Sequence, residues 1–309
     1  MKPESELLAH IYARSKHIAR GHPRIVTGPG DDCAVLRAAA DPAAPALLLT
    51  VDQLVEGRHY DADRTSIDHI ARKAVARSVS DIAAMGGRPV AALATGALRD
   101  TFDNENELFD AMARWGAHWG CPLIGGDIAR TEGPSVLTVT IVGEPHAVRG
   151  PVLRSGARPG DGVYVTGALG GSLGADGQGR HLTFDPRIDE GAWLCDALAD
   201  RLHAMIDLSD GLGRDAGRIA SASGVRIELD AALLPIAPAA AGWRAALADG
   251  EDYELCFCID PVGGDVPART PTGLPITRVG SVIEGAGCVV RTPEGDTIDA
   301  AELGWDHGA

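Results

Sequence analysis

Apolar segments that run into an aspartate recur along this chain and constrain its fold more than any other feature. Asp52 interrupts the hydrophobic residues 46–55, and Asp127 and Asp207 each end a strand-like apolar segment. A carboxylate in such a position is at least partly buried and needs a partner. Ligands of α/β proteins bind at the carboxyl ends of strands. The pattern therefore predicts that several carboxylates meet at the strand ends of one sheet.

Strand-like and helix-like segments alternate in both halves of the chain. Residues 4–20 and 65–87 have the apolar spacing of amphipathic helices, the second capped by Thr65 or Ser66 and ended by Gly86, and another helix is expected at about 104–119. A strand, a turn and a helix are expected over residues 205–224. Further strands are predicted at residues 46–55, 89–98, 121–127, 135–144, 162–166, 225–230, 252–260 and 275–284. This alternation indicates an α/β fold.

Residues 145–162 are rich in proline, glycine and arginine, which is typical of a connection between domains. We therefore expect two domains, covering residues 1–147 and 148–309. The second begins with a strand that leads into the glycine-rich residues 167–174. That glycine-rich segment is compatible either with a phosphate-binding loop or with a plain turn.

The charge balance and the cysteine pattern exclude several classes of function. The net charge is −15, which disfavours a nucleic-acid partner. There is no run of 18 apolar residues to span a membrane and no apolar signal core near the N-terminus, so we expect a cytoplasmic protein. The six cysteines form no C-x-x-C pair, which fits a reducing compartment and disfavours a zinc site.

Lysine is scarce, with only three in the chain, and no P-loop motif occurs. Any bound phosphate must therefore be neutralised by arginine, backbone N–H groups or metal ions. Several converging carboxylates suit Mg²⁺, which usually shares its coordination sphere with phosphates. The combination favours a nucleotide bound through metal bridges.

Some acidic positions have simpler interpretations when they are taken singly. Asp31 and Asp32 follow a Gly-Pro-Gly turn and suit a solvated turn as well as a metal site. Asp81 follows Arg77 by four residues, a spacing that favours a helical ion pair.

Ser209 and Asp210 have a structural explanation of the same kind. As the N-cap and the first turn of the helix expected after residue 207, they need no ligand to account for them.

Taken together, the motifs resemble the thiamine-monophosphate kinase family, within the superfamily of aminoimidazole ribonucleotide synthetase. They are GPGDDCAVL (28–36), TVDQLVEGRHY (50–60), ARSVSDIAAMGGRP (76–89), LIGGD (123–127), RSGARPGD (154–161), IDLSDGL (206–212), GEDYELCF (250–257) and GWDH (304–307). The resemblance covers nearly the whole chain. It implies a two-domain fold, with an N-terminal mixed sheet that binds Mg²⁺ and ATP and pairs into a homodimer, and a larger C-terminal α/β domain that completes the nucleotide and substrate site.

The resemblance also implies an activity: ATP-dependent phosphorylation of thiamine monophosphate to thiamine diphosphate, by direct in-line transfer and without a general base. By resemblance, several Mg²⁺ ions are bound by Asp32, Thr50, Val51, Asp52, Asp81, Asp127, Asp207 and Asp210. ATP is contacted by Gly126, Asp127, Arg154 and Ser209, and the acceptor by His59, Glu251 and Trp305. Val51 has no side-chain oxygen, so any metal contact there comes from its backbone carbonyl.

Other functions compete with this one. Within the superfamily they are selenophosphate synthetase, aminoimidazole ribonucleotide synthetase and a hydrogenase-maturation carbamoyl dehydratase. The dehydratase uses a C-terminal cysteine, which this chain does not have. Selenophosphate synthetase has a reactive residue in an N-terminal glycine-rich segment, whereas the first cysteine here is Cys33. Outside the superfamily, a non-catalytic sensor of Mg²⁺ and nucleotide stays open, and a purely structural acidic protein gives no reason for the aspartates.

Overall fold

The computed structural model describes residues 4–15, 22–262, 264 and 266–305 of the chain. Its α-helices are α1 (Glu4–Ser15), α2 (Ile67–Ala84), α3 (Glu105–His118), α4 (Ile188–Leu198), α5 (Leu212–Ser223) and α6 (Trp243–Ala248). Three short 3-10 helices lie at Arg180–Leu182, Ala199–Arg201 and Ala231–Leu233. None of the described helices is both long and apolar enough to cross a membrane.

The strands form two mixed sheets, one in each half of the chain. The first sheet contains β1 (Ile25–Thr27), β2 (Ala34–Arg37), β3 (Ala46–Val55), β4 (Arg88–Arg99), β5 (Leu123–Thr131) and β6 (Val136–Glu144), in the order β1-β2-β3-β6-β4-β5. The second contains β7 (Gly162–Thr166), β8 (Leu202–Asp207), β9 (Arg226–Asp230), β10 (Leu255–Ile259), β11 (Ile276–Ile283), β12 (Gly287–Arg291) and β13 (Thr297–Asp299), in the order β13-β12-β9-β11-β7-β10-β8. The expected combination of helices with mixed sheets is confirmed.

Most strand pairs are antiparallel, which changes how the acidic residues come together. In each sheet one pair is parallel: β4 with β5, and β9 with β12. The prediction that Asp52 and Asp127 stand at strand ends is wrong, because β3 continues to Val55 and β5 continues to Thr131. Ladder pairing to the neighbouring strand carries both strands past the aspartate. Asp207 does end its strand, as expected.

Helix α2 connects the two halves of the molecule. Its start and end follow the sequence signals: the Ser66 side chain caps the first turn by accepting the N–H of His69, and Gly86 follows the helix with a left-handed φ of 68°. The helix packs against β3 and β6 of the first sheet and against α4 and β8 of the second half. A Cβ on Gly191 of α4 would lie 2.3 Å from the carbonyl oxygen of Ala83, so these helices touch where a glycine permits it.

The buried helix α2 carries three charged residues along one face. Apolar residues fill most of its surface, yet Lys73 is fully buried and Arg77 and Asp81 are largely buried as well. These three residues are spaced by four and therefore lie along one face of the helix, about 6 Å apart in rise at each step. We call them the polar stripe of α2.

Some predicted segments fall partly outside the described residues, and some elements of the structure were not predicted. The N-terminal helix is described as far as Ser15, and the rest of its predicted span, residues 16–20, lies outside the described residues, as do Asp306 and His307 of the terminal motif. Helices α4 and α6 and strands β1, β12 and β13 were not predicted.

Candidate active site

Three carboxylates from distant parts of the chain meet at the junction of the two halves. Asp32 lies in the loop before β2, Asp81 on α2, and Asp207 at the end of β8. One oxygen of each lies within 4.8 Å of the others, an arrangement that suits a metal ion. We call these residues the acidic cluster.

Each member of the acidic cluster has a polar neighbour. Arg154 donates to Asp32 Oδ1 at 2.6 Å, and Ser80 donates to Asp207 Oδ2 at 2.6 Å. Thr50 donates to Asp81. The second oxygen of Asp32 is buried and has no hydrogen-bond partner within the described part of the chain. The cluster is therefore incompletely neutralised by the protein itself.

Burial and nearby charges disfavour the charged forms of Asp81 and Asp207. Burial, followed by the charges of Asp52 and Asp207, raises the pKa of Asp81, and burial and the charge of Asp32 raise that of Asp207. The pKa of Asp31 rises to about 6 for the same two reasons, with Arg154 opposing them. A bound cation would remove the repulsion, so these donors fit a hard divalent ion.

Asp31 has a structural task in the loop. Its carboxylate accepts the backbone N–H groups of Asp32, at 3.0 Å, and Arg154, at 3.2 Å. These bonds fasten the loop that carries Asp32 to the segment that carries Arg154. The solvated-turn interpretation is wrong for Asp32, which is buried.

The helical ion pair expected between Arg77 and Asp81 is replaced by two other contacts. Asp81 turns to Thr50 and the acidic cluster, while Arg77 Nη2 lies 3.5 Å from Asp52 Oδ1. Asp52 reaches Arg77 because it faces α2 from β3.

Ser209 and Asp210 lie in the turn between β8 and α5. The N-cap of α5 is Gly211, with a φ of 102°, so the prediction that Ser209 caps this helix is wrong. Asp210 pairs with Arg218, which also binds Asp215 at 2.5 Å. Arg218 had not been recognised as part of the site.

The three residues expected to contact the acceptor line one cavity. This cavity has a volume of about 220 Å³. It is lined by Asp52, Arg58, His59, Arg77, Leu173, Ser209, Asp210, Asp249, Glu251, Tyr253 and Trp305. We call it the acceptor cavity. It thus brings His59, Glu251 and Trp305 together with Asp52 and Ser209, which were predicted to contact metal and nucleotide.

Glu251 is held on the wall of the acceptor cavity by a buried network. It accepts from Lys73 Nζ at 2.8 Å and lies 3.2 Å from His181 Nδ1. Lys73 also donates to the backbone oxygen of His59 at 2.8 Å. Burial would raise the pKa of Glu251, but His181, Lys73 and Arg77 lower it to about 2. Glu251 is therefore a carboxylate at any physiological pH.

Lys73 and His181 were missed by sequence reasoning. Burial, despite the opposing charge of Glu251, lowers the pKa of Lys73 to about 8. The signal in the sequence was a lysine within an apolar helix of a chain with only three lysines. Such a lysine needs a buried acidic partner.

Trp305 lies between two cavities. Its indole is about half exposed, and its backbone N–H donates to the carbonyl of Asp210 at 3.0 Å. Besides the acceptor cavity, it lines a second one of about 480 Å³ that contains Tyr12, Arg154 and Arg218. Trp305 thus borders both the acceptor cavity and the cavity that contains Arg154.

Gly126 and Asp127 lie apart from the other predicted ligands. Both are exposed on the edge strand β5. In the strand register, Gly126 is aligned with Asp52 across β4 and β6, so both positions face the same side of the sheet. Asp127 is one position further along β5 and therefore faces the opposite side. A Cβ on Gly126 would lie 1.8 Å from the carbonyl oxygen of Ala94, so glycine is required there for strand packing alone.

The glycine-rich segment 167–174 is a structured turn whose amides are already bonded. Gly170 N–H donates to Asp252 at 3.0 Å and Gly171 N–H donates to Asp249 at 2.8 Å. The N–H of Leu169 donates to the carbonyl of Pro235. With these amides occupied by protein acceptors, the turn interpretation is favoured over a phosphate-binding loop.

Comparison with known proteins decides the family. Residues 30–144 match the model of the N-terminal domain of AIR synthase related proteins. The thiamine-monophosphate kinase of Rhodopirellula baltica is 33% identical, over 99% of this chain and 97% of the relative. That of Escherichia coli K12 is 37% identical, over 91% of this chain and 92% of the relative. This chain belongs to the thiamine-monophosphate kinase family.

A solved structure of the same family has the same fold. The structure of AaThiL complexed with AMPPCP and TMP superimposes with a TM-score of 0.77 and 28% sequence identity, covering 96% of this chain and 95% of that one. The fold implied by the resemblance to the family, with helices and two mixed sheets, is therefore confirmed at the level of overall architecture.

Proposed function

We propose that this protein transfers the γ-phosphoryl group of ATP to thiamine monophosphate, forming thiamine diphosphate and ADP. The observation that carries the proposal is the position of the acceptor cavity beside the acidic cluster. The polar stripe of α2 runs from one to the other: Lys73 holds Glu251 at the cavity wall, and Asp81 belongs to the cluster. Full-length similarity to thiamine-monophosphate kinases supports the same reaction.

The acidic cluster fits magnesium. Asp32, Asp81 and Asp207 would hold Mg²⁺, and the unpartnered oxygen of Asp32 is a donor that a cation would satisfy. Further Mg²⁺ contacts are proposed for Thr50, Asp52, Asp127, Asp210 and the backbone of Val51. When bound, such ions neutralise phosphate charge and align the reacting groups.

The remaining residues would position the two substrates. Arg154 and Ser209 would contact the phosphates of ATP, since Arg154 can present its guanidinium to phosphate oxygens. Glu251, charged and rigidly held, would face the cationic ring of the acceptor, and Trp305 would stack on an aromatic ring. His59 accepts the N–H of Val55 through Nδ1, which orients its ring at the cavity.

Chemistry in this arrangement requires little from the protein beyond placement. An oxygen of the acceptor phosphate attacks the γ-phosphorus in line, the bond to the β,γ-bridging oxygen breaks, and ADP leaves. The attacking oxygen is already ionised, so no side chain has to remove a proton. Positioning and charge neutralisation are then the main contributions of the enzyme.

We further propose a homodimer formed through the first sheet. Its edge strand β5 leaves Ile124 and Ile128 exposed at 69% and 67%, beside Phe109 of α3 at 59%. Exposed apolar groups along an unpaired edge are typical of association surfaces. Such a dimer would allow Gly126 and Asp127, remote from the cluster within one chain, to contribute to a nucleotide site.

The dimer can be tested by one substitution on the edge strand. Ile128→Asp places a charge in the proposed interface and is expected to convert a dimer into a monomer in analytical ultracentrifugation. Val148→Asp is the control, because Val148 is 92% exposed outside the sheets. A dimer that survives Ile128→Asp, or a wild-type monomer, would contradict this interface.

Two broader expectations complete the proposal. Residues 1–147 and 148–309 would form the two domains; β6 ends at Glu144 and β7 begins at Gly162, which supports a division in this segment. A cytoplasmic location is supported by six buried cysteines that are all free.

The direct test is an assay of the purified chain with ATP, Mg²⁺ and thiamine monophosphate. Chromatography measures the two products, and we expect thiamine diphosphate and ADP in equal amounts. Binding of ATP without either product would reject the kinase proposal in favour of a nucleotide sensor.

A further inference from the structure

Arg77 is a buried cation in the acceptor cavity for which the proposed machinery has no use so far. Its side chain is only 14% exposed. Its Nε and Nη1 atoms are buried and have no hydrogen-bond partner among the described residues. The contact of Nη2 with Asp52, at 3.5 Å, is long for a hydrogen bond. A buried guanidinium with two unpaired nitrogens is costly unless a ligand completes its bonding.

The place of Arg77 along α2 indicates which part of a ligand it would meet. Arg77 lies one helical step from Lys73, which holds Glu251, and one step from Asp81 in the acidic cluster. Consider an acceptor that places its cationic ring against Glu251 and points its phosphate towards the acidic cluster. Its phosphate then lies between the Lys73 end and the Asp81 end of the polar stripe. Arg77 lines the cavity at that intermediate position.

The charge of the acceptor cavity makes a fixed cation necessary for an anionic ligand. Asp52, Asp210, Asp249 and Glu251 all line it and repel a phosphate. Arg58 also lines the cavity, but it is exposed and therefore screened by solvent. Arg77 acts in a drier site, where a charge-assisted hydrogen bond is stronger.

We propose that Arg77 binds the phosphate of the acceptor and makes the site select a monophosphate ester over the corresponding alcohol. The inference rests on the proposed function, because it assigns a residue to the phosphate of thiamine monophosphate. A planar guanidinium presents paired donors to phosphate oxygens. Arg77 would then move from its long contact with Asp52 to the incoming phosphate, leaving Asp52 free to bind metal.

The test compares Arg77→Met and Arg77→Lys with wild type. Arg114→Met is the matched control, since Arg114 pairs with Asp68 on the exposed surface. Folding is first verified by circular dichroism. The KM for thiamine monophosphate is expected to rise about 10- to 100-fold in Arg77→Met, the range for losing a hydrogen bond to a charged group. The KM for ATP should stay within about twofold, and Arg77→Lys should recover part of the loss.

Calorimetric binding separates this role from a structural one. With Mg²⁺ and no nucleotide, Arg77→Met should weaken the binding of thiamine monophosphate much more than the binding of thiamine. Equal loss for both ligands, an unchanged KM for thiamine monophosphate, or a shift confined to the Mg²⁺ requirement would overturn the inference. If Arg77→Met does not fold, the same comparison is decided with Arg77→Lys. A wild-type chain that makes no thiamine diphosphate would instead reject the proposed function.

Discussion

The two ends of the polar stripe of α2 handle buried charge in opposite ways. At one end, Glu251 meets Lys73 and His181 and the protein neutralises its own carboxylate. At the other, Asp32, Asp81 and Asp207 converge, and Arg154 is the basic side chain in contact with them. The first network is complete without a ligand and fixes Glu251 on the wall of the acceptor cavity. The second holds repulsion that a cation would relieve, which is the property expected of a metal site.

The largest expected effect comes from removing a carboxylate of the acidic cluster. Asp207→Asn should lower kcat about 100- to 1000-fold, because several kcal/mol of metal-ion stabilisation are lost. In EDTA the same variant should be more stable than wild type, since burial and the charge of Asp32 raise the pKa of Asp207 and already disfavour its charged form. Urea denaturation measures the second quantity.

Asp161→Asn serves as the control for Asp207→Asn. Asp161 is also buried, but it is paired with His203 at 2.9 Å. This variant should lose stability and keep its Mg²⁺ dependence. If Asp207→Asn were destabilised to the same extent in EDTA, the contrast between the two ends of the stripe would be refuted.

Breaking the Lys73–Glu251 ion pair at the neutralised end of the stripe should destabilise the protein. Lys73→Met leaves Glu251 buried without its cation and is expected to lower the free energy of unfolding by about 3 kcal/mol. The double variant Lys73→Met with Glu251→Gln should recover about 1–3 kcal/mol of this loss, because the two residues interact directly. A double variant no more stable than Lys73→Met would contradict the pairing.

The two ends should also respond oppositely to pH. Asp31, next to the cluster, has a pKa raised to about 6 from 3.8, so the folded state binds more protons than the unfolded state between these values. In the metal-free protein, protonation of Asp31 should therefore add roughly 2 kcal/mol to the free energy of unfolding as the pH falls from 7 to 4. Asp31→Asn should remove this contribution of Asp31, and Mg²⁺ should reduce it.

For Glu251 the sign is reversed. Its pKa is lowered from 4.5 to about 2, so its contribution to stability is complete above pH 4.5 and is lost as the pH falls through 2. Glu251→Gln should remove this acid-sensitive part, on the order of 2–3 kcal/mol. Urea midpoints measured across this pH range in both variants check the two slopes, and parallel slopes would contradict the comparison.

The smallest effect is expected from a hydrogen bond within the cluster. Ser80→Ala removes the donor to Asp207 and should cost about 1 kcal/mol of stability in EDTA. Because the proposed metal ligands remain, Mg²⁺ should still activate this variant. Loss of Mg²⁺ activation would mean that Ser80 does more than orient the carboxylate.

Local signals in the sequence predicted local structure well. The cap at Ser66, the end of α2 at Gly86 and the full length of β3 agree with the structure, because each depends on residues within a few positions. The caps and strand ends failed where tertiary contacts decide: Asp210 bonds to Arg218 and Asp215, and Gly211 takes the cap of α5.

The composition of the site could be predicted less completely than the fold. Asp52, Asp127 and Asp207 were expected to meet as strand ends of one sheet, but only Asp207 belongs to the acidic cluster. Its partners Asp32 and Asp81 come from a loop and a helix, and only the resemblance to the family had grouped them with Asp207 as metal ligands. Lys73 and His181 are 108 residues apart in the chain, so their contact follows from topology and leaves no mark at short range. Asp127 shows the opposite case. Its motif is recognisable in the sequence, but the strand register turns it to the side of the sheet opposite to Asp52.

The central claim, that the acidic cluster is a divalent-cation site, is tested most directly by titrating the wild-type chain with Mg²⁺ at pH 6 in a calorimeter. Repeating the titration in buffers of different ionisation enthalpy gives the number of protons released. We expect Mg²⁺ to bind with release of protons, because burial and neighbouring charges raise the pKa values of Asp81 and Asp207 and a bound cation lowers them again. Binding without proton release, or no binding at millimolar Mg²⁺, would contradict the claim.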